Sequence, residues 1–234
     1  MSRTGHVTYQ IGGFGSFRGE PGYAHFPLSE LKFPQDNTLA VLSFSSVIRN
    51  KYQLNIELAE SLTKDNDDPM EDSDWGISFI NPNTSASTLD VYSHSRVESE
   101  SSEFDVSISS LQKQFKYRNQ FFQDWTYSYG GGYLYQKQSF RTFDLVQWYP
   151  STGAPTDTMS GLVLTYNVAM SMPYIQFQTE SHYSSELNFS LLIKASPFLT
   201  VKDHDEHLLR DQASDGKSEG YAWELRSIAH YHTC

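Results

Sequence analysis

The chain has 234 residues, enough for one large domain or two small ones, with aromatic residues at 15% and charged residues at only 19%, a balance that suits strand-rich structure. Its 28 acidic side chains outnumber 17 basic ones, for a formal net charge of -11; this argues against a nucleic-acid partner, which needs concentrated Lys and Arg, and favours basic peptides or cations. The single cysteine, Cys234, excludes an intrachain disulfide, and no run approaches the ~18–20 apolar residues of a membrane helix, so any span must be made of strands.

In chain order, Met1 to Gln10 carries no apolar signal core, so the expectation is either a cytoplasmic protein or one whose signal peptide lies outside this sequence. Apolar and aromatic residues then recur at every second position. Tyr52, Leu54, Ile56 and Leu58 share one parity, as do Phe104, Val106 and Ile108. So do Trp125, Tyr127, Tyr129, Tyr133 and Tyr135, and Leu162, Leu164, Tyr166, Val168, Met170, Met172 and Tyr174. The opposite parity holds mainly Ser, Thr, Gln, Asn, Glu and Gly, which is the pattern of one-sided strands.

About eight strands are predicted, near residues 5 to 18, 23 to 48, 51 to 63, 92 to 116, 122 to 143, 160 to 180, 184 to 201 and 218 to 232. Several exceed the ~5–6 residues usual in soluble sheets, which favours a barrel of tilted strands over a soluble sandwich or a lipocalin-like barrel. Short connections at Arg49-Asn50, Arg118-Asn119-Gln120 and His182-Tyr183-Ser184 alternate with long polar stretches near 64 to 91, 144 to 159 and 202 to 217. Short turns on one rim and long loops on the other predict an all-β, antiparallel transmembrane β-barrel, as one domain over 1–234.

Two segments carry candidate chemistry, and loop parity places both on the long-loop rim. In Asp72-Ser73-Asp74 the carboxylates sit at i and i+2, on one face of an extended chain, where they can share a water or a proton. In Asp205-Glu206-His207 the same spacing lets a carboxylate orient an imidazole, leaving its other nitrogen as general base. Read alone, the acidic run from Asp65 to Asp74 is equally a solvated loop or a loose Ca²⁺ site, and Asp203-His204-Asp205-Glu206-His207 is equally a site for zinc or another divalent ion.

At these residues the sequence resembles the omptins, surface endoproteases of Gram-negative outer membranes. Their Asp-x-Asp-Trp and Asp-x-Asp-Glu-His motifs are matched by Asp72-Ser73-Asp74-Trp75 and Asp203-His204-Asp205-Glu206-His207. Ile11-Gly12 with Glu20 and Tyr23, then Ser29 and Leu31, Gly132-Tyr133 with Ser139-Phe140, and Met172-Pro173-Tyr174-Ile175 follow in the family's order.

The resemblance implies a water-activating site without a covalent acyl-enzyme and without a metal or other cofactor. Asp205 would orient His207 as general base, and Asp72 and Asp74 would hold the attacking water. It further implies an acidic pocket for a basic substrate residue at Glu20 and Asp203, with Asp90 as a further subsite residue; a solvated loop aspartate is an equal reading of Asp90. Lipopolysaccharide, which activates omptins, would bind the outer wall: Tyr133 and Lys137 fit that pattern in part, Ala169 stands where an arginine is expected, and Tyr133 equally suits an interfacial aromatic girdle.

Omptins have ten strands against about eight here, so the expectation is a chain lacking its signal peptide and its last strands. His204 stands where the family has a neutral polar residue. The resulting picture is an outer-membrane endopeptidase with its site on the extracellular side, acting on basic peptides or proteins. The competing readings are a non-catalytic barrel, a pore or adhesin, and a soluble metal-binding β-protein.

Overall fold

Alternating side chains commit each segment to two different surroundings, and an extended chain satisfies its backbone polar groups only by pairing with neighbours. The computed structural model describes residues 2–11, 14–17, 20–23, 27–85, 87–115, 123–182, 187–208 and 211–231, and the side chains within 14–23 and several beside the other gaps are not described. The elements are β1 (Ser2–Arg3), β2 (His6–Ile11), β3 (Phe14–Phe17), β4 (Glu20–Tyr23), β5 (Ser29–Pro34), β6 (Asn37–Ile48), β7 (Tyr52–Ser61) and β8 (Met70–Trp75). They continue with β9 (Leu89–Ser110), β10 (Lys113–Phe115), β11 (Gln123–Tyr149), β12 (Ala154–His182), β13 (Leu187–His207) and β14 (Gln212–Tyr231).

Every pairing is antiparallel, and the sheet runs in the order β1-β6-β7-β9-β11-β12-β13-β14, with β2, β5 and β8 continuing the first three runs upward and β10 pairing β11. The result is a meander curled into a half-barrel. Among the described residues no ladder joins β14 to the first run.

The outward face explains the curl. Leu42 and Phe44 of β6, Leu58 of β7, Phe104 and Ile108 of β9, Tyr133 and Tyr135 of β11, Ile175 and Phe177 of β12, Phe189 and Ile193 of β13, and Trp223 and Leu225 of β14 are all exposed. They form one apolar band around the wall, the arrangement of a barrel whose exterior meets lipid. Among the described residues no helix is long and apolar enough to cross a membrane.

The narrow rim carries tight turns: Arg49 and Asn50, with φ of 51° and 53°, adopt the left-handed conformation that matches the twist of β6 and β7. The expected turns at Arg118-Asn119-Gln120 and Tyr183-Ser184 lie outside the described residues.

The other rim corrects the sequence reading. The stretches expected as long loops contain strand: β8 lies within 64 to 91, and most of 144 to 159 and 202 to 217 is ladder, with β11 and β12 paired up to Tyr149↔Ala154 and β13 and β14 up to His207↔Gln212. Both motifs therefore sit on strands. With 27 residues in β11 and 29 in β12, the strands far exceed the ~9–11 residues that cross a bilayer. Beyond the apolar band both faces meet polar surroundings, so the alternation fades while the backbone ladder continues.

Inside the wall at band level, Lys194 is buried between Asp105 (2.6 Å) and Glu224 (3.5 Å), with its ammonium 4.6 Å from the centre of the Tyr174 ring. The Tyr174 hydroxyl donates to the other oxygen of Asp105. Gly132 makes this possible, because a Cβ there would lie 2.5 Å from the Tyr174 hydroxyl. A charge stripped of water must be paired, so Lys194→Met should leave Asp105 uncompensated and destabilise the barrel by about 3 kcal/mol, read as a lower urea midpoint for the refolded protein in detergent.

Above this network the lumen is closed by a packed core. Leu31 and Phe33 of β5, Met70 of β8, Val97 of β9, Phe140 of β11, and Val163, Leu164 and Tyr166 of β12 form one buried cluster. Phe33 stacks on Phe140 at 4.5 Å and on Tyr166 at 5.2 Å, and Tyr9 of β2 reaches Tyr166 at 5.3 Å. The first run thus touches β12 across the interior. This plug is the floor of the site.

Candidate active site

Strand parity decides what faces the interior above the plug. On β8, Met70 belongs to the buried core, so Asp72 and Asp74, at the same parity, project inward with it. On β13, the pairings Val168↔Asp203, Tyr166↔Asp205 and Leu164↔His207 set these three residues beside inward-facing positions of β12. His204 and Glu206 are left on the outer face. The five-residue run that read equally as a metal site is therefore split between two faces, and among the described residues no group of three His, Cys, Asp or Glu is placed to hold a metal ion.

The sheet's curvature brings the two motifs together. One cavity of ≈60 Å³ is lined by Asp72, Ser93, Ser95, Thr142, Gln147 and His207, with Met70, Val163 and Leu164 on its apolar side. It draws on five successive runs of the meander. Larger cavities lie elsewhere: one of ≈470 Å³ is formed by outward residues such as Leu42, Leu58 and Phe104, and one of ≈370 Å³ surrounds the Lys194 network. Neither contains a member of the two motifs.

Asp205 is buried, and its Oδ2 lies 3.0 Å from Nε2 of His207. In the neutral ring Nε2–H donates to the carboxylate, which fixes the imidazole's orientation. Asp74 pairs with Ser29 and Val91 one inward position nearer the rim than Asp72.

Asp203 takes a hydrogen bond from the Tyr9 hydroxyl. Burial pushes its carboxyl above the ordinary range, Asp205 and Asp215 push the same way, and the Tyr9 contact opposes them. Burial, then the charge of Asp203, likewise raises the Tyr9 hydroxyl. Room for this carboxylate comes from Gly216, its partner on β14: a Cβ there would fall 2.2 Å from Asp203 Oδ1. Glu20 belongs to β4, and its side chain lies outside the described residues. Asp90 is wholly buried, and its Oδ2 accepts the Ile77 amide N–H, tying the segment after β8 to the start of β9.

His204 points away from the cavity, with Nδ1 2.9 Å from Asp215 Oδ1. That hydrogen bond raises the imidazole above its ordinary value, so the pairing is fully present below the unfolded histidine's pKa and is lost as pH rises through the higher folded value. Asp215→Asn should return the His204 titration toward the ordinary value, read from ring proton shifts against pH.

Tyr133 and Lys137 are exposed on the outer wall of β11, opposite Pro173 and Ala169 of β12.

Sequence reading did not single out Tyr9, Ser93, Ser95, Thr142 or Gln147. Ser93 and Ser95 did carry a signal, because they open a run of buried serines at alternate positions that continues at Ser99 and Ser101 on the inner face of β9. Tyr9 becomes informative only through the curl that carries β2 toward β13.

An antiparallel wall with an apolar outer band defines an outer-membrane β-barrel. The omptin family model matches residues 24–232, and the chain belongs to the omptin family. Among solved structures, the fold is similar to that of the outer membrane protease OmpT from Escherichia coli, with a TM-score of 0.70, 16% identity, and coverage of 87% of this chain and 68% of that one. A match to the ferric citrate transporter FecA in its unliganded form has a TM-score of 0.34 and 10% identity, covers 88% of this chain and 25% of that one, and carries no weight for the fold. No curated protein sequence matches significantly.

Proposed function

We propose that this protein cleaves peptide bonds next to basic residues by activating a water with the Asp205–His207 pair, Asp72 and Asp74 holding that water. The observation that carries this reading is the shared cavity: Asp72 and His207 line it together, while Asp205 holds Nε2 of His207 at 3.0 Å. With Nε2 engaged, Nδ1 takes the proton from water as it attacks the scissile carbonyl, and the imidazolium formed is stabilised by Asp205. The proton then passes to the leaving amine. Asp72 and Asp74 accept hydrogen bonds from the water and balance the positive charge that develops on His207. No covalent enzyme intermediate forms, and the site needs no metal or other cofactor.

Asp203 and Glu20 select a basic side chain, and Asp90 supports the subsite on the far side of the cut through the segment it anchors. A half-buried carboxylate held above its ordinary pKa gains most from a cationic partner, because a guanidinium or ammonium offsets the repulsion of Asp205 and Asp215. The site opens to the extracellular side, where the strands project past the apolar band. Lipopolysaccharide meets the outer wall at Tyr133 and Lys137 and acts as the activator.

The test is cleavage of a dibasic fluorogenic peptide by refolded protein in detergent, with and without lipopolysaccharide. The reading expects activity that needs the lipid and is indifferent to chelators. Asp203→Asn should raise KM about tenfold, a loss of ~1.4 kcal/mol in binding, and change kcat less. Chelator-sensitive cleavage, or none under any condition, would favour a non-catalytic barrel or a metal site.

A further inference from the structure

Behind Asp72, the same cavity ends against two serines of β9 that the proposed reaction does not use. Ser93 and Ser95 are each 1% exposed, and neither hydroxyl has a protein hydrogen-bond partner among the described residues. Buried hydroxyls are almost always bonded to protein or to ordered water, so two such groups on one wall of one cavity mark a place where water is held. The space suffices: the cavity measures ≈60 Å³, and one water needs roughly 10–15 Å³ of such volume. The register puts Ser93 directly opposite Asp72, and Ser95 directly opposite Met70, one inward step toward the floor.

The plug floors this space, since Met70 and Leu164 both line the cavity and belong to the buried core.

We infer that Ser93 and Ser95 are positioning residues that hold a resident water behind Asp72, fixing that carboxylate and, through it, the water that attacks. This rests on the proposed function. Each serine offers a hydroxyl that can donate and accept, so a water bonded to both still has a hydrogen to give to Asp72. Bonded in this way, Asp72 keeps one orientation as charge develops on His207. Without the resident water, substrate binding is unaffected, but the attacking water is held less often in line with the scissile bond.

The experiment compares kcat and KM for a dibasic peptide in wild type, Ser95→Ala, Ser93→Ala, Ser95→Thr and Ser95→Val, with thermal midpoints measured in the same detergent. The expected result is a fall in kcat of about tenfold for each alanine variant at unchanged KM, with Ser95→Thr near wild type because it keeps the hydroxyl. Ser95→Val, which has threonine's shape without its hydroxyl, should lose at least as much as Ser95→Ala. Alanine variants that fold and retain wild-type kcat overturn the inference while leaving the protease reading intact. A fall in kcat that tracks the thermal midpoint, with Ser95→Thr as impaired as Ser95→Val, also overturns it. Absence of cleavage by the wild type overturns the reading and the inference together.

Discussion

His207→Ala should slow peptide cleavage by about 10² to 10⁴-fold with KM nearly unchanged, the range expected when a general base is removed. The site's geometry makes this the largest functional effect. Among the described residues His207 is the only imidazole lining the cavity with Asp72, and His204 lies on the outer face bonded to Asp215. Asp205→Asn should fall in the same direction. It leaves the shape of the pair but removes the charge that holds Nε2–H and stabilises the imidazolium. Neither side chain is a member of the buried cluster that forms the plug, so both variants should fold. His204→Ala, by contrast, removes only an outward pair. Steady-state kinetics on the three refolded proteins, with folding checked by heat-modifiable gel mobility, separates these outcomes.

Phe33→Ala should have the largest effect on stability, about 3–5 kcal/mol. Phe33 is 0% exposed and is stacked on both Phe140 and Tyr166, so its removal opens a void at the centre of the plug and breaks the two aromatic contacts that join β5 to β11 and β12. The lost support reaches the site, because Leu31, two residues away, is the β5 partner of Asp72. Activity should therefore fall along with the guanidinium chloride midpoint. Leu62→Ala, at a side chain 67% exposed, serves as the control and should shift stability by no more than about 0.5 kcal/mol. Equal midpoints for the two variants would mean that the aromatic stack does not hold the first run against the rest of the wall.

Strand identity and order were legible because lipid and lumen impose opposite demands on alternate residues. The sequence runs containing Tyr52 to Leu58, Phe104 to Ile108 and Tyr133 to Tyr135 reappear as β7, β9 and β11 in the expected meander. The upper wall was not legible. From Asp203 to His207 and from Gln212 to Lys217 both faces are polar, so composition there matches a loop, and only the register Asp203↔Gly216, Asp205↔Ser214 shows a ladder.

Loop parity nevertheless put the two motifs at one end of the wall, where they lie, since an extension of the strands leaves the order of the rims unchanged. The pairs Asp72/Asp74 and Asp205/His207 were legible from i, i+2 spacing. Their nearest supports were not: Tyr9 meets Asp203 and Ser95 shares the cavity with Asp72 only once the sheet has curled. Phe33, Phe140 and Tyr166 likewise meet across the lumen, a long-range packing fact that no local pattern encodes.

The proposed activity is water-activating cleavage selective for basic residues. Its most direct test is mass spectrometry of the products formed from a peptide with one Arg-Lys pair, incubated with refolded protein and lipopolysaccharide in water enriched in oxygen-18. The expected result is a single cut beside the basic pair, with one heavy oxygen in the new carboxylate, and no cut by His207→Ala. An intact peptide, or a cut that persists in His207→Ala, would contradict it.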